Sequence, residues 1–563
     1  MSVSSVKKQR KKNNQLRGRQ VDATALAEVR DLLGDSARRR DLLIEYLHLI
    51  QDKYHQISAA HIVALATEMK LSHTEVYEVA SFYHHFNITK ESDAPAPELT
   101  IRVCNSITCE MFGAETLLNE LSNLASDKIR IQTVPCVGRC HDAPVAVVGT
   151  HPLAKATVGK IENAIDNNMI EATPGEYLNY HDYTKTAGYK LLKDCHAGKH
   201  SAESIIALVK NSKLKGLGGA GFPAGMKWEI LRQQARPRIM AVNIDEGEPG
   251  TFKDRYYLER DPHRFIEGML IAGWVIGAAE IYIYLRDEYA GCRKILQQEL
   301  KLLQDNPPCP LPQLQLRRGA GAYICGEESA MIESIEGKRG MPRLRPPYVA
   351  EVGLFGRPTL EHNMETLYWV RDIIEKGADW FTSQGRHGRQ GFRSYSVSGR
   401  VQKPGVHLAP AGITVRELID EYCGGMLPDH KFYGYFPGGA SGGILPARMG
   451  DIPLDFDTLN EFGCFIGSAA IIILSHHDKA RDAALNAMRF FEDESCGKCT
   501  PCRVGTAKAV TLMKQKHWNK PLLEELAMAM TEASICGLGQ AAPNPLRCAI
   551  KYFSEEFQSG SQP

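Results

Sequence analysis

The sequence has no run of apolar residues long enough to cross a bilayer. The longest, Gly268–Ala279 and Gly467–Leu474, fall well short of the ~18–20 residues a spanning helix needs, and Glu280 breaks the first. There is no excess of charge, with 67 Lys and Arg against 66 Asp and Glu. Seven basic residues and no acid occupy the first twenty positions, so the remainder is net negative, which argues against a nucleic-acid surface spread over the folded body. Fifteen cysteines in 563 residues are too sparse for a secreted disulfide scaffold. The beginning of the chain lacks the apolar core of a secretory signal, so a reducing compartment is expected. Internal repeats are missing too. What remains is an ordinary globular composition, 43% hydrophobic and 24% charged, of a length that implies several domains.

Residues 1–20 read as a disordered basic tail, because so little apolar surface cannot offset ordering entropy. From Leu42 to Phe86 apolar residues recur at helical spacing, with Ser58 and Ser72 as caps and Glu75 completing a capping box. A short strand, Leu99–Val103, then opens a strand–helix–strand–strand–helix unit. Residues 180–390 hold apolar strands (Ile239–Ile244, Ile281–Leu285) and two glycine-rich turns. A segment from 392 to 446, rich in strand formers, Gly and Pro, reads as a compact β insert. Helical patterns return from Arg481.

Seven of the cysteines cluster. Cys104 and Cys109, then Cys136 and Cys140, form two pairs leaving strand ends; four thiolates there suit Zn²⁺ or a [2Fe–2S] cluster, and the loose spacing favours iron–sulfur. Cys496, Cys499 and Cys502 have the C-x2-C-x2-C spacing that wraps a cubane. Position 506 is Thr, so a fourth ligand must come from elsewhere: Cys536 leads and Cys548 is second. Cys195, Cys292, Cys309, Cys325, Cys423 and Cys464 read as packing residues.

The loop Gly216–Gly225 contains G-x-G-x-x-G, but an amphipathic helix pattern (Ser204–Lys215) precedes it instead of a strand, so it is not a standard Rossmann turn. Lys227 follows within reach of a phosphate. Asp245, Glu246 and Glu248 stand at the C-terminal end of a buried-type strand, where α/β sheets bind ligands. A second loop, Gly319–Glu328, again sets small residues beside carboxylates. Together these features point to a redox protein with a nucleotide-type cofactor.

The segments KGLGGAGFPAGMKW, NIDEGEPGTFKDR, GAGAYICGEES and ESCGKCTPCR…SICGLG resemble the NADH-binding flavoprotein subunit of respiratory complex I. The helical bundle with C-x4-C…C-x3-C resembles that complex's thioredoxin-like [2Fe–2S] subunit, here fused to it. RDLLIEYLHLIQDKYHQIS, LTIRVCNSITCEMFGAE and FPGGASGGILP are similar to the beta subunit of NAD-dependent molybdenum or tungsten formate dehydrogenases, and the complete N-terminal cysteine quartet suits that family better than the flavoprotein of NAD-reducing hydrogenases, the alternative. The resemblance implies an α/β multidomain fold: tail 1–20, helical bundle 21–92, thioredoxin-like [2Fe–2S] domain 98–170, FMN- and NADH-binding domain 180–390, ubiquitin-like β-grasp (SLBB) insert 391–470 and helical [4Fe–4S] domain 480–555.

It further implies a [2Fe–2S] cluster on Cys104, Cys109, Cys136 and Cys140, and a [4Fe–4S] cluster on Cys496, Cys499, Cys502 and Cys536. FMN would be held by Gly216, Gly218, Gly219, Lys227, Asn243, Asp245, Glu246, Gly326, Glu327 and Asn363. NADH would stack on the flavin beside Glu248 and Glu328, the catalytic pair, with its adenine between Phe222 and Tyr348 and with Tyr323, Lys227 and Arg345 nearby. Three departures stand out: Ile230 replaces a second stacking phenylalanine, His362 replaces the first of two asparagines, and only 33 residues separate Cys502 from Cys536. The implied protein is a cytoplasmic NAD⁺-reducing diaphorase, in a heterodimer with a formate dehydrogenase alpha subunit that carries Mo/W-bis-pterin and further clusters. Neither nucleic acid nor membrane is an expected partner.

Overall fold

A computed structural model describes residues 19–557 apart from Glu91 and Pro95; positions 1–18 of the expected basic tail lie outside the described residues. Side-chain caps set the N-terminal helices. Asp22 accepts from the Ala25 amide to start Ala23–Leu33, and Ser58 accepts from His61 to start Ala59–Met69. Ser72 and Glu75 close the expected capping box of His73–Ala80. These helices and Leu43–Tyr54 bury Val29, Leu47, Ile50, Leu65 and Val76 among themselves. Their outer face does not end at water: the Tyr83 hydroxyl, fully buried, bonds Ser334 and the Lys338 carbonyl of the central domain.

The second unit is a four-stranded sheet of β1 (Leu99–Cys104), β2 (Ile129–Val134), β3 (Ala146–Val148) and β4 (His151–Leu153), in the order β2-β1-β3-β4. β1 pairs β2 in parallel and β3 antiparallel. The three-residue strand β4 is one more than the sequence pattern implies, too short for any periodicity to register.

The central domain carries β5 (Arg238–Ile244), β6 (Ala278–Leu285), β7 (Gln313–Arg318) and β8 (Thr359–Asn363), all parallel, ordered β8-β5-β6-β7. Ile239, Met240, Ala241 and Val242 have no exposed surface, as expected of a parallel strand covered on both faces. Strands β5, β6 and β7 are laid down in one direction, and the chain then returns to place β8 on the other side of β5. That reversal is a topological switch point, and the crevice beyond the strand ends there is where open α/β sheets bind ligands.

The insert is a five-stranded sheet, β10-β9-β13-β11-β12, formed by β9 (Phe392–Gly399), β10 (Gly405–Pro410), β11 (Phe432–Phe436), β12 (Leu445–Pro446) and β13 (Ala470–Ser475). Its central strand β13 pairs β9 and β11, so the sheet extends past the expected limit at 470. Helices Ala480–Asp493, Thr500–Met513, Lys520–Ala533 and Asn544–Tyr552 close the chain. No helix among the described residues is long and apolar enough to cross a membrane.

Replacing Ser72 by Ala removes a cap and should cost about 1 kcal/mol locally. Hydrogen exchange of His73–Ala80 is expected to accelerate while the rest of the bundle keeps its protection.

Candidate flavin and iron–sulfur sites

The crevice is built from three strand ends and one loop. Asn243, the penultimate residue of β5, stands opposite Asn363 of β8. Asn243 donates to the Gly326 carbonyl at 2.9 Å and to Glu361 at 3.1 Å, and accepts from the Asp245 amide at 3.0 Å. Its carboxamide thus fixes the loop after β7 to the end of β5. Asn363 donates to Asp254 at 2.7 Å and accepts from the Glu365 amide at 3.0 Å. The loop Gly216–Gly221 folds over it: a Cβ on Gly218 would stand 2.9 Å from the Asn363 Cβ, so only glycine lets the backbone approach this closely. The Leu217 amide anchors the loop on Thr366 at 2.9 Å.

Asp245 lies in this crevice beside Gly326. Its Oδ2 is buried and has no hydrogen-bond partner among the described residues, and burial pushes its pKa well above the usual range. A buried acceptor without a donor is costly, so the position suits a ligand bearing hydroxyl or N–H groups. Lys227 holds its ammonium 3.3 Å from Glu361 and 3.6 Å from Glu328. Arg345 reaches Glu327 at 2.5 Å and Glu328 at 2.7 Å. Glycine walls, an orphaned acceptor and two cations at the mouth fit a flavin nucleotide.

Two of the expected contacts already have partners within the protein. The Glu246 carboxylate accepts from the amides of Asp254 (2.9 Å) and Arg255 (3.2 Å) and from the Tyr289 hydroxyl (2.8 Å). Glu327 caps the helix Glu328–Ile335, accepting from the Ser329 and Ala330 amides. Both carboxylates hold backbone in place, and Glu327 also meets Arg345 through its other oxygen. His362 is likewise buried behind the site, accepting from the Trp228 indole at 2.7 Å, which accounts for the tolerated departure there.

Glu248 is buried between two segments. Its Oε2 accepts from the Tyr323 hydroxyl, and its Oε1 accepts from the amide (2.7 Å) and hydroxyl (2.9 Å) of Ser441 in the insert. Burial raises its pKa, and these donors oppose that rise. Gly439, at φ +76°, would put a Cβ 2.6 Å from the Glu248 Cγ. Phe222 and Tyr348 are 46% and 56% exposed, large aromatic surfaces left open at the rim, and Ile230 is 40% exposed on the adjoining helix. Such exposure suits rings that stack on a planar ligand.

The four N-terminal cysteines converge. Cys136 and Cys140 have Sγ atoms 3.3 Å apart, Cys104 contacts both Cys109 and Cys136, and all four are buried. Thiol donors from Cys104 and Cys140 hold Cys136 below the ordinary thiol range, while contacts with Cys109 and then Cys136 push Cys104, and contact with Cys136 pushes Cys140, well above it. Four thiolates cannot coexist there without cationic metal among them, which fits a cluster. Phe252, on the loop following Glu248, packs against Cys136 and Cys140. Arg286 bonds both the Cys136 carbonyl (2.6 Å) and the Glu246 carbonyl, and Arg255 bonds the Gly138 carbonyl at 3.0 Å. At the other end, Cys496 interacts electrostatically with Cys499, Cys502 and Cys536, and the Cys536 thiol also senses Glu327. Burial pushes Cys502 and Cys536 up to about 11. Cys548 lies elsewhere, its Sγ 3.5 Å from that of Cys464.

Sequence reasoning missed Glu361, Lys253, Arg286, Ser441 and Glu494. Lys253 is buried against Asp254 (2.8 Å), Glu365 (3.1 Å) and Asn363 (3.4 Å). Glu494 accepts from the Tyr323 amide at 2.9 Å, tying the crevice to the cysteine triplet two residues away.

Family profiles match in three blocks. Residues 29–169 match a thioredoxin-like [2Fe–2S] ferredoxin, residues 209–372 the Nuo51 FMN-binding domain, and residues 482–560 the NADH-ubiquinone oxidoreductase-F iron–sulfur binding region. An F-type subunit of the NADH-quinone oxidoreductase of Rhizobium meliloti (strain 1021) is 40% identical over 403 residues, 69% of this chain and 95% of that protein. The chain belongs to the 51 kDa-type NADH-binding flavoprotein family. The mitochondrial NADH-ubiquinone oxidoreductase 51 kDa subunit of Neurospora crassa is 39% identical over 377 residues, 63% of this chain and 76% of that protein. A solved NAD⁺-reducing [NiFe]-hydrogenase in the H₂-reduced state superposes with a TM-score of 0.82 at 30% identity, covering 94% of each chain. The flavoprotein therefore has FMN, [2Fe–2S] and [4Fe–4S] as its cofactors and passes electrons between iron–sulfur centres, FMN and NAD.

Cys536→Ser should remove about four iron atoms per chain and leave the [2Fe–2S] spectrum intact, whereas Cys548→Ser should retain all iron. Iron analysis with EPR of the reduced proteins reads both.

Proposed function

We propose that this flavoprotein is the NAD⁺-reducing subunit of a formate dehydrogenase, drawing electrons from a partner whose Mo/W site oxidises formate. The observation that carries the reading is the complete, buried N-terminal cysteine quartet. A second reading, the diaphorase subunit of an NAD-reducing hydrogenase, is supported by the superposition over 94% of the chain.

FMN, when bound, exchanges hydride with nicotinamide and single electrons with iron–sulfur clusters. The residues proposed to hold it are Gly216, Gly218 and Gly219 as a close backbone wall, Gly326 opposite, Asp245 as hydroxyl acceptor and Lys227 as phosphate partner. Asn243 and Asn363 set that wall from behind. Phe222 and Tyr348 flank the adenine, and Arg345 stands at the dinucleotide's entrance with Glu328. Cys104, Cys109, Cys136 and Cys140 are proposed to ligate the [2Fe–2S] cluster, and Cys496, Cys499, Cys502 and Cys536 the [4Fe–4S] cluster through which electrons enter. Glu248, held by Tyr323 and Ser441, places a carboxylate beside the flavin, where its charge disfavours a further negative charge on the reduced ring.

Glu248→Gln should therefore raise the flavin midpoint potential, by about 30 mV for each 1.4 kcal/mol of lost repulsion; an unchanged potential in a redox titration would remove Glu248 from this role. The isolated chain should oxidise NADH with an artificial acceptor and show no formate activity. Co-purification with metal analysis decides the partner: molybdenum or tungsten supports the formate reading, and nickel replaces it with the hydrogenase one.

A further inference from the structure

At the seam between the N-terminal bundle and the central domain, two imidazoles meet outside every site described above. His48 and Asp52 stand one turn apart on Leu43–Tyr54, and His85 lies just beyond His73–Ala80. One ring nitrogen of each histidine and a carboxylate oxygen of Asp52 lie within 4.8 Å of one another, and the two rings are 4.9 Å apart at 50°.

One nitrogen of each ring is already engaged. His48 Nε2 donates to the Gly319 carbonyl at 2.8 Å. His85 Nδ1 donates to Asp287 at 2.6 Å. In the neutral rings these bonds place the protons on His48 Nε2 and His85 Nδ1 and leave lone pairs on His48 Nδ1 and His85 Nε2. Both atoms are buried and have no hydrogen-bond partner among the described residues, and His48 is only 2% exposed. Burial holds the His48 ring well below the ordinary imidazole range, so it is neutral and able to ligate. A histidine whose second nitrogen is fixed by a carboxylate or a backbone carbonyl is the arrangement that orients metal-binding imidazoles.

The charges around the pair select among cations. Arg318 holds both Asp52 oxygens (2.5 and 3.2 Å), so an ion shares that carboxylate with the guanidinium, and Asp287 pairs with Arg318 (2.5 Å) and Arg293 (3.1 Å). Two carboxylates balanced by two guanidiniums leave no surplus negative charge for Ca²⁺ or Mg²⁺, which need several anionic oxygens. Neutral imidazole nitrogens with one carboxylate suit a borderline ion instead. A tetrahedral ion with ~2.0–2.2 Å bonds holds its donors about 3.3–3.6 Å apart, so donors at the 4.8 Å limit must draw in by roughly an ångström.

We propose that His48 Nδ1, His85 Nε2 and Asp52 bind a divalent transition-metal ion of the zinc type. The ion ties Leu43–Tyr54 to the His84–His85 turn within the bundle, and so fixes the His48 ring that donates to Gly319 of the glycine loop leading to the flavin crevice. The same turn already holds that loop through backbone: the His84 and His85 amides donate to the Gly321 and Ala320 carbonyls. The loop then runs on to Tyr323 and Glu328. The ion is structural and makes no contact with the reacting groups.

The test uses oxidised holoprotein with both clusters and FMN in place, so that the cluster thiolates are occupied, dialysed free of zinc and titrated with Zn²⁺. The expected result is uptake of one Zn²⁺ per chain. X-ray absorption at the zinc edge should show nitrogen and oxygen neighbours with imidazole outer-shell scattering and no sulfur at ~2.3 Å. Hydrogen exchange of residues 319–328 should slow when zinc is added. His48→Gln and His85→Gln should abolish uptake, and Asp52→Asn should weaken it by ~10-fold or more. Asp52 is half-exposed, so its variant decides the matter even where a histidine variant loses flavin or iron. No stoichiometric uptake, a sulfur shell at the zinc edge, or unchanged affinity in Asp52→Asn overturns the proposal.

Discussion

The parallel pairing of β5 with β8 is the constraint on which the rest of the molecule depends. Because β8 returns to the far side of β5, the connections after these two strands diverge and leave a crevice. Asn243 and Asn363 sit opposite each other at its floor. The loop after β7 is drawn in by Asn243, the glycine loop settles on Asn363, and the insert reaches down to Glu248 through Ser441. Each outer domain touches this crevice through a specific polar contact: the cysteine domains through Arg286 and Glu494, the bundle through the backbone of His84 and His85. The domains are thus arranged around one crevice and do not follow one another like beads.

The chemistry was more legible in the sequence than the scaffold that positions it. Cysteine spacing and glycine runs are local signals, and they located both thiol clusters and both loops. Strands β5 and β6 were visible because burial on both faces makes them continuously apolar. Strands β7 and β8, Gln-Leu-Gln-Leu-Arg-Arg and Thr-Leu-Glu-His-Asn, were not read as strands. β8 carries Glu361 and Asn363 into the crevice, and β7 carries Arg317 to Asp41 and Arg318 to Asp52 and Asp287. Their polarity serves long-range partners that no local window contains.

The same reason hides Lys253, Arg286 and Ser441. Lys253 is one lysine among many until Asn363 and Glu365, more than a hundred residues on, close on it beside its neighbour Asp254, and the three carboxylates around it hold its pKa above the ordinary lysine range despite full burial. Glu246 and Glu327 show the converse: carboxylates that look like ligands in a motif are occupied with helix N-termini. A motif names residue types at a spacing, whereas the division between those that face a ligand and those that hold the backbone is decided only in three dimensions.

The short loop after β5 presents Asp245 to the flavin crevice at its beginning and lays Phe252 on the thiols of Cys136 and Cys140 at its end. The two sites thus share one ribbon of eight residues. Any free energy by which the charge on the [2Fe–2S] cluster alters flavin affinity must be returned, equal in size, as a change in the cluster's own affinity for an electron when the flavin is present. Titrating the cluster in the presence and absence of flavin therefore measures that linkage from the cluster's side.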